Sequence, residues 1–138
     1  TLAKASSSKI VDLLKDVENW SFVKQNNDNA TLAPKIAKAE NRIDFNNKPV
    51  ELINKYRGLD LNGGVWAMFR GEKHLLSEIN LADKVLEPGY IEIENNKLFI
   101  GCKSGSISVG EIQPAGKKTM LIADWLNGAR LQQGERFE

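Results

Sequence analysis

The chain has 138 residues, of which 41% are hydrophobic and 27% charged, as expected for a globular protein with one compact domain and some peripheral structure. Its formal net charge of +1 excludes a protein that is basic over its whole surface. No apolar run approaches the about 20 residues that span a bilayer, and no signal-peptide pattern opens the chain, so we expect a cytoplasmic protein that does not bind membranes. Thr1 in first position suits an excised or processed fragment, and equally a chain from which a tag has been cleaved.

The first predicted element is an amphipathic helix over residues 6–19. Its apolar residues recur at helical spacing as one stripe: Ile10, Leu13, Leu14 and Val17. Ser6, Ser7 and Ser8 are its candidate N-caps. Because a lone helix of this length is marginal in water, the stripe must pack on the rest of this chain or on a missing domain.

A second helix is predicted to follow a linker. Alternating charges and few large apolar residues indicate the linker over residues 34–47, with one helical turn around 37–40. Pro49 suits the first turn of a helix, and Glu51 favours the positive end of the helix dipole. Gly58 lies near the end of this helix, and the predicted buried face consists of Leu52, Ile53, Tyr56 and Leu59.

Five short strands are predicted after Gly63-Gly64, over residues 65–69, 73–79, 90–93, 98–103 and 106–112. Their connections carry turn residues: Arg70-Gly71, Pro88-Gly89, Asn95-Asn96 and Ser104-Gly105. Parallel pairing would need crossover helices, for which the spacing leaves no room. The pattern therefore predicts a small, closed or partly open antiparallel barrel.

A last helix is predicted to begin at Thr119 as N-cap and to end at Gly128. Leu121 and Trp125 share one face of it at i, i+4 spacing. We expect this helix to cover one end of the barrel.

The run Gly116-Lys117-Lys118-Thr119 is similar to the end of a phosphate-binding loop. That loop needs a further glycine at position 111, where this chain has Glu111, so a nucleoside triphosphate site is not expected. Two lysines at the positive end of a helix remain a favourable place for a phosphate group.

Few residues suggest catalysis or metal binding. Cys102 is the one cysteine, which excludes an internal disulfide and favours an intracellular protein, and its apolar strand indicates a buried structural thiol rather than a reactive one. With His74 as the one histidine, we expect no zinc site and no Ser-His-Asp or Cys-His set. Glu92 and Glu94 face the same side of a strand, which a solvated outer face explains without acid-base chemistry.

Four aromatic residues lie in or beside the predicted strands: Trp66, Phe69, Tyr90 and Phe99. In some OB-type barrels such residues stack on unpaired bases. Core packing is the commoner role, and both interpretations stay open.

Charge is unevenly distributed along the chain. Residues 35–57 contain six basic residues against three acids, whereas residues 78–94 contain five acids against one lysine. Such segregation gives one face a positive potential if the basic residues converge. The alternative is a scattered, solvated surface.

Three stretches carry a resemblance to a known family. They are Ala30-Thr31-Leu32-Ala33-Pro34-Lys35, then Arg42-Ile43-Asp44-Phe45, then Gln113-Pro114 with Gly116-Lys117-Lys118, Met120 and residues 124–131. Together they resemble the C-terminal part of methionyl-tRNA formyltransferase, and residues 4–20 look like the last helix of that family's catalytic domain. One departure is Leu61-Asn62-Gly63-Gly64-Val65-Trp66, where the family has a Pro-Trp-Pro-Gly-like segment.

The resemblance implies a mainly β fold: a small, open Greek-key (OB-like) barrel with flanking helices and an N-terminal helical extension. It implies that residues 1–33 end the N-terminal catalytic domain, that 34–47 are the linker and that 48–138 form the barrel domain. The family's catalytic and folate-site motifs are absent from this sequence, so no catalytic, cofactor or metal residue is assigned, and 10-formyltetrahydrofolate would serve only the parent enzyme. The resemblance also implies contacts with the phosphate backbone of initiator tRNA from Lys35, Lys38, Arg42, Lys48, Arg57, Lys117, Lys118 and Arg130.

Two other hypotheses stay open. The chain is the equivalent barrel of another formyltetrahydrofolate-using enzyme, where it would be a structural spacer that need not touch RNA. Alternatively it is a free-standing OB-like module for single-stranded nucleic acid. For each lysine or arginine, a merely solvated charge is the simple alternative.

Overall fold

The structure is a computed structural model that describes residues 2–60 and 63–138. It divides into two compact units, Thr1–Lys35 and Ile36–Glu138. Within the described ranges, no helix has both the length and the apolar character that crossing a membrane requires.

The first unit contains helix α1, Leu2–Leu14, followed by a short 3₁₀ helix at Val17–Asn19. The predicted serine N-caps are wrong, because these serines lie inside the helix. The hydroxyl of Ser6 donates to the carbonyl of Leu2 at 2.8 Å, and that of Ser7 to the carbonyl of Lys4 at 2.9 Å, which is how serine bonds within a helix rather than at its start.

No residue of α1 is buried. The four residues of the apolar stripe, Ile10, Leu13, Leu14 and Val17, are each between 50% and 60% exposed. The stripe therefore exists as a sequence pattern, but the first unit does not bury it.

The second unit is mainly β, which confirms the predicted fold class. Its helices are α2, Pro49–Leu59, and α3, Ile122–Ala129, and a 3₁₀ helix spans Lys38–Asn41. Its strands are β1 Val65–Phe69, β2 Glu72–Ser77, β3 Asn80–Ala82, β4 Ile91–Glu94, β5 Lys97–Cys102, β6 Gly105–Val109, β7 Glu111–Pro114 and β8 Met120–Leu121.

Helix α2 begins where the sequence predicts. Pro49 is its first residue, and the carboxylate of Glu51 accepts a hydrogen bond from the Lys48 backbone N–H at 2.8 Å, which satisfies a free donor of the first turn. Leu52 is buried in the core, while Tyr56 is half-buried and its hydroxyl accepts from the Glu78 N–H at 3.1 Å. Leu61 and Asn62 begin the stretch that departs from the family pattern. They lie outside the described residues.

The strands form two antiparallel sheets. Sheet A has the order β1-β2-β7-β8, and sheet B has the order β3-β6-β5-β4. The five predicted strands are all present, and the one predicted over 106–112 bends and divides into β6 of sheet B and β7 of sheet A. Strand β3 was not predicted. The chain bends after β2 of sheet A and continues into β3 of sheet B. Together the bent strands give the spatial order of a Greek key. No strand ladder joins β1 to β4 among the described strands, so the barrel is open.

Gly110 is the bend between β6 and β7, where the sequence analysis expected one straight strand. Its N–H lies 3.3 Å from the carbonyl oxygen of Ser77 and 3.2 Å from that of Glu78. A Cβ on Gly110 would lie only 2.7 Å from the Cβ of Glu78, so a larger residue does not fit.

The last three residues lie between the two open edges of the barrel. Glu138 exchanges two backbone hydrogen bonds with Met68 of β1, at 2.8 and 2.9 Å. The N–H of Phe137 donates to the carbonyl of Gly89 at 2.9 Å, just before β4. The C-terminal segment thus connects sheet A to sheet B.

Both sheets share one core. At one end Phe137 packs against Phe69, with ring centroids 4.8 Å apart, and against Trp125 at 6.3 Å. His74 is buried in the same cluster, where its Nδ1 donates to the Glu72 carbonyl at 3.0 Å. Cys102 is also buried, as predicted, and burial raises the pKa of its thiol to about 11.

Helix α3 starts later than predicted, because Met120 and Leu121 form strand β8. Thr119 is therefore not its N-cap, and the Thr119 hydroxyl lies 3.4 Å from the side-chain carbonyl of Gln113. Gly128 lies inside the helix, which ends instead at Arg130 in a left-handed conformation with φ of 45°. Trp125 is buried, but Leu121 is 55% exposed, so the two do not share a packed face.

Candidate nucleic-acid interface

The segment from Asn41 to Phe45, which the sequence analysis placed in a linker, packs on the barrel. Ile43 and Phe45 are buried, whereas Arg42 and Asp44 are exposed, so the side chains alternate as in a strand. The Ile43 N–H donates to the Trp66 carbonyl at 2.8 Å, and Arg42 pairs with Trp66 in a parallel bridge. The side chain of Arg42 is thereby fixed at the edge of β1, on the solvent side.

Trp66 lies on the outer face of β1, since its neighbours Val65 and Ala67 are buried in the core. Its indole N–H donates to the carbonyl of Lys38 at 3.2 Å. This bond attaches the 3₁₀ helix Lys38–Asn41 to sheet A. The exposed side chain of Lys38 therefore lies in the same region as Arg42.

Two cations lie over the Trp66 ring. The guanidinium carbon of Arg42 is 5.7 Å from the ring centroid, and the ammonium nitrogen of Lys73 is 4.8 Å from it. Both distances are within the range of about 6 Å at which a cation is attracted by an aromatic ring. A third cation supports the pair, because Lys55 of α2 donates from its Nζ to the Arg42 carbonyl at 2.7 Å. We call Arg42, Lys55, Trp66 and Lys73 the Trp66 cluster.

The sequence analysis counted Lys55 among the basic residues of 35–57 but assigned it no contact, and it missed Lys73, although one signal pointed to Lys73. The Arg70-Gly71 turn has positive φ at both residues, 49° and 76°, as a two-residue hairpin requires. That turn sets the register in which Met68 faces Lys73 and Trp66 faces Leu75. Lys73 therefore stands diagonally across from Trp66 on the same outer face. No comparable local signal indicates Lys55.

One carboxylate lies near the cluster. Hydrogen bonds from the backbone and side chain of Asn46 are the main reason why the pKa of Asp44 is lowered, and the charges of Lys55 and Arg42 contribute further. Within the described residues, none of Lys38, Arg42 and Lys73 forms a salt bridge with a carboxylate. The positive charge of these three side chains thus faces solvent without a paired anion in the described part of the chain.

Lys117 and Lys118 lie on the turn between β7 and β8, where both are exposed. They do not stand at the N-terminus of a helix as predicted, because β8 separates them from α3. The side-chain N–H of Gln113 donates to the Lys117 carbonyl at 2.9 Å and orders the turn. A shallow groove of about 200 Å³, lined by Lys73 and Gly116 among others, runs between this turn and the Trp66 cluster. The outer face of sheet A therefore connects the linker cations with the β7–β8 turn.

The other predicted phosphate contacts lie elsewhere. Lys48 is the residue before α2, and Arg57 lies about 200° around the axis of α2 from Lys55, away from the Trp66 cluster. Arg130 caps α3, and its carbonyl accepts from the Arg70 guanidinium at 3.2 Å. Lys35 belongs to the first unit. The second unit thus brings Lys38 and Arg42 together beside Trp66, whereas Lys117 lines a different groove together with Glu72 and Asp124.

The outer face of sheet B has a different charge arrangement. Lys84 lies over the Phe99 ring at 5.3 Å, and its ammonium forms salt bridges of 2.6 Å to both Glu92 and Glu94. Hydrogen bonds to Glu92 and then to Glu94 raise the pKa of Lys84. The two glutamates face solvent as predicted, as a paired surface cluster.

The remaining aromatic residues of the strands differ in environment. Phe69 is a core residue, whereas Tyr90 is 38% exposed and has the Arg136 guanidinium 5.9 Å from its ring centroid. Among the residues that the structure describes, no group of three or more His, Cys, Asp or Glu side chains is arranged to hold a metal ion.

Residues 35–130 match the family model described as "Formyl transferase, C-terminal domain". Among relatives, the chain is 33% identical over 141 residues to a methionyl-tRNA formyltransferase of Acidobacterium capsulatum, covering 99% of this chain and 45% of the relative. It is 34% identical over 114 residues to a methionyl-tRNA formyltransferase of Saccharopolyspora erythraea, covering 80% of this chain and 37% of the relative. The chain thus spans less than half the length of these relatives.

Solved structures share the fold at low identity. HypX from Aquifex aeolicus matches with a TM-score of 0.62 and 16% identity over 92% of this chain and 23% of that one. A structure of HypX in complex with tetrahydrofolic acid matches with a TM-score of 0.60 and 16% identity over 85% of this chain and 22% of that one.

Proposed function

Because the chain belongs to the formyl transferase C-terminal domain family, we propose that it is the tRNA-binding C-terminal region of a methionyl-tRNA formyltransferase. The observation that carries the proposal is the cation-rich outer face of sheet A. There Lys38, Arg42 and Lys73 stand without carboxylate partners among the described residues. Such a surface attracts a phosphate backbone, orients it and reads no sequence.

The parent reaction in this proposal is transfer of a formyl group from 10-formyltetrahydrofolate to the amino group of initiator methionyl-tRNA. The chemistry and the folate belong to an N-terminal catalytic domain outside this chain. Residues 1–33 are assigned to the end of that domain, 34–47 to the linker and 48–138 to the barrel domain. The half-exposed stripe of α1 supports the first assignment, because an apolar helix face is stabilised by packing on another domain.

We assign the backbone contacts to eight residues: Lys35, Lys38, Arg42, Lys48, Arg57, Lys117, Lys118 and Arg130. Lys38 and Arg42 are the strongest of them, since both lie beside Trp66 on the outer face of sheet A. Lys117 and Lys118 lie on the β7–β8 turn, which sheet A also carries. The RNA would contact Lys48, Arg57 and Arg130 only if it is large and curved enough to reach beyond that face.

The test is a titration of this chain with initiator tRNA at 50 and 200 mM salt. We expect weak, salt-sensitive binding that discriminates little between tRNAs. Replacing Lys35, Lys38 and Arg42 together by Ala should weaken binding equally for all tRNAs and reduce the salt slope by about three, or about one per lost phosphate contact. Replacing Lys4, Lys9 and Lys15 together by Ala is the matched control with the same loss of charge.

A second candidate function is favoured by the fold shared with HypX, which has been solved with tetrahydrofolic acid. In that case the barrel is a spacer in another folate-using enzyme. Absence of tRNA binding even at 50 mM salt would support the spacer and contradict our proposal. Tighter binding to unstructured oligonucleotides than to folded tRNA would instead indicate a single-strand-binding module.

A further inference from the structure

We infer that Trp66 holds Arg42 and Lys73 as a preorganised pair of cations that binds one stretch of the RNA phosphate backbone, with Lys73 as a direct contact and Trp66 as a positioning residue. This inference rests on the proposed function and deepens it. It adds two residues, Trp66 and Lys73, to the proposed interface.

The first argument is the convergence of separate elements on one ring. Arg42 approaches from one edge of β1, where its backbone bridges to Trp66, and Lys73 approaches from β2 on the other edge. The two charged groups lie 5.7 and 4.8 Å from the same ring centroid. Two like charges repel each other, and the attraction of each to the same aromatic ring offsets part of that repulsion.

The second argument is that the backbone beneath the cations is fixed. The Trp66 indole donates to the Lys38 carbonyl, and the Lys55 ammonium donates to the Arg42 carbonyl. Ile43, the residue after Arg42, is 1% exposed and anchored in the core. The segment that carries Lys38 and Arg42 is thereby held by hydrogen bonds to the carbonyls of both residues and by the buried side chain of Ile43.

The third argument concerns entropy. A free lysine or arginine side chain loses rotamer entropy when it is immobilised on a ligand. Cations already held over a ring lose less, so more of their electrostatic attraction appears as affinity. The Arg42 guanidinium makes no hydrogen bond of its own among the described residues, and a planar guanidinium binds phosphate oxygens through two parallel N–H groups.

Lys84 shows why the ring alone is not sufficient. It also lies over an aromatic side chain, Phe99, but Glu92 and Glu94 occupy its ammonium group. The Trp66 cluster differs in placing two cations, neither with a salt bridge within the described chain, at one ring, whereas Arg136 is a single cation at the Tyr90 ring.

The direct test compares Lys73→Ala with Lys97→Ala in binding to initiator tRNA. Lys97 is an exposed strand lysine at the start of β5 in sheet B and supplies a matched loss of charge. We expect Lys73→Ala to weaken binding about three- to tenfold at 50 mM salt and to reduce the salt slope by about one. Lys97→Ala should change neither. Equal effects of the two variants would overturn the assignment of Lys73.

The positioning role of Trp66 is tested by a double-mutant cycle. Trp66→Leu should weaken tRNA binding about threefold in the natural chain, but should have no further effect once Lys38, Arg42 and Lys73 are all Ala. Trp66→Phe, which keeps a ring, should retain more of the affinity than Trp66→Leu. An equal loss from Trp66→Leu in both backgrounds would show that Trp66 stacks on a base or acts only on folding. Thermal unfolding of each variant identifies the folding effect.

These outcomes separate the inference from the proposed function. If Lys38 and Arg42 matter for tRNA binding but Lys73 and Trp66 do not, the inference fails and the proposed function stands. If the natural chain does not bind tRNA, both fail.

Discussion

The outer face of each sheet carries a cation over an aromatic ring, but the two sheets differ in whether carboxylates neutralise that cation. On sheet A, Arg42 and Lys73 lie over Trp66, and neither forms a salt bridge within the described chain. On sheet B, Lys84 lies over Phe99 and is paired with two carboxylates. Cations that are held in place but not neutralised can bind a polyanion, whereas a neutralised cation only orders the surface.

Both outer faces depend on an intact barrel, and Phe137 is the residue whose replacement should destabilise the barrel most. The ring is 2% exposed, and its backbone connects the edge of β1 to the residues before β4. Phe137→Ala should lower the free energy of unfolding by about 3–5 kcal/mol, because it removes a large buried ring and leaves a cavity. Urea unfolding measures this change.

Phe22→Ala is the matched control for Phe137→Ala. Phe22 is 84% exposed, so its loss should change the free energy of unfolding by no more than about 0.5 kcal/mol. A similar loss from both variants would mean that the C-terminal segment is not part of the core.

A second variant converts sheet A into the arrangement of sheet B. Lys73→Glu places a carboxylate on the face that carries Arg42, where it should neutralise the arginine and repel phosphate. We expect the affinity for tRNA at 50 mM salt to fall roughly tenfold or more, beyond the effect of Lys73→Ala. Filter binding across a salt series measures it. Lys97→Glu carries the same charge reversal on sheet B, and a comparable fall there would mean that net charge rather than position decides.

The smallest effect is expected from the opposite conversion, Glu92→Gln with Glu94→Gln. The double variant frees Lys84 over Phe99 and should raise the affinity for tRNA about two- to threefold at low salt. Stability should change little, because exposed salt bridges contribute little. Glu18→Gln with Asp28→Asn removes two exposed carboxylates of the first unit as the control. Unchanged or weaker tRNA binding by the glutamine variant would contradict the role given to salt bridges here.

Much of the fold was predictable because it is encoded locally. Pro49 and Glu51 define the start of α2, and the residues of positive φ at Arg70-Gly71 and Asn95-Asn96 define two hairpins. The bend at Gly110 was missed, because it depends on the close approach of Glu78 from a distant strand. Strand β8 was missed as well, because two residues are too few to show a periodicity.

The proposed interface was predictable only in part. Lys38 and Arg42 lie in a segment recognised by its sequence, and the structure places both beside Trp66. The contributions of Lys55 and Lys73 depend on contacts between residues that are far apart in the chain. The register of a hairpin could have suggested Lys73, whereas only helix packing brings Lys55 to the Arg42 carbonyl.

The sequence by itself determined the mainly β class, the turns and the uneven distribution of charge, since each follows from the preferences of neighbouring residues. Only the tertiary structure decided which cations meet over a ring, which are neutralised by glutamates and how Phe137 connects the two sheets. The physical reason is that attraction between charges and rings falls off within a few ångströms. Such distances between remote residues are set by packing of the whole core, which no local pattern reports.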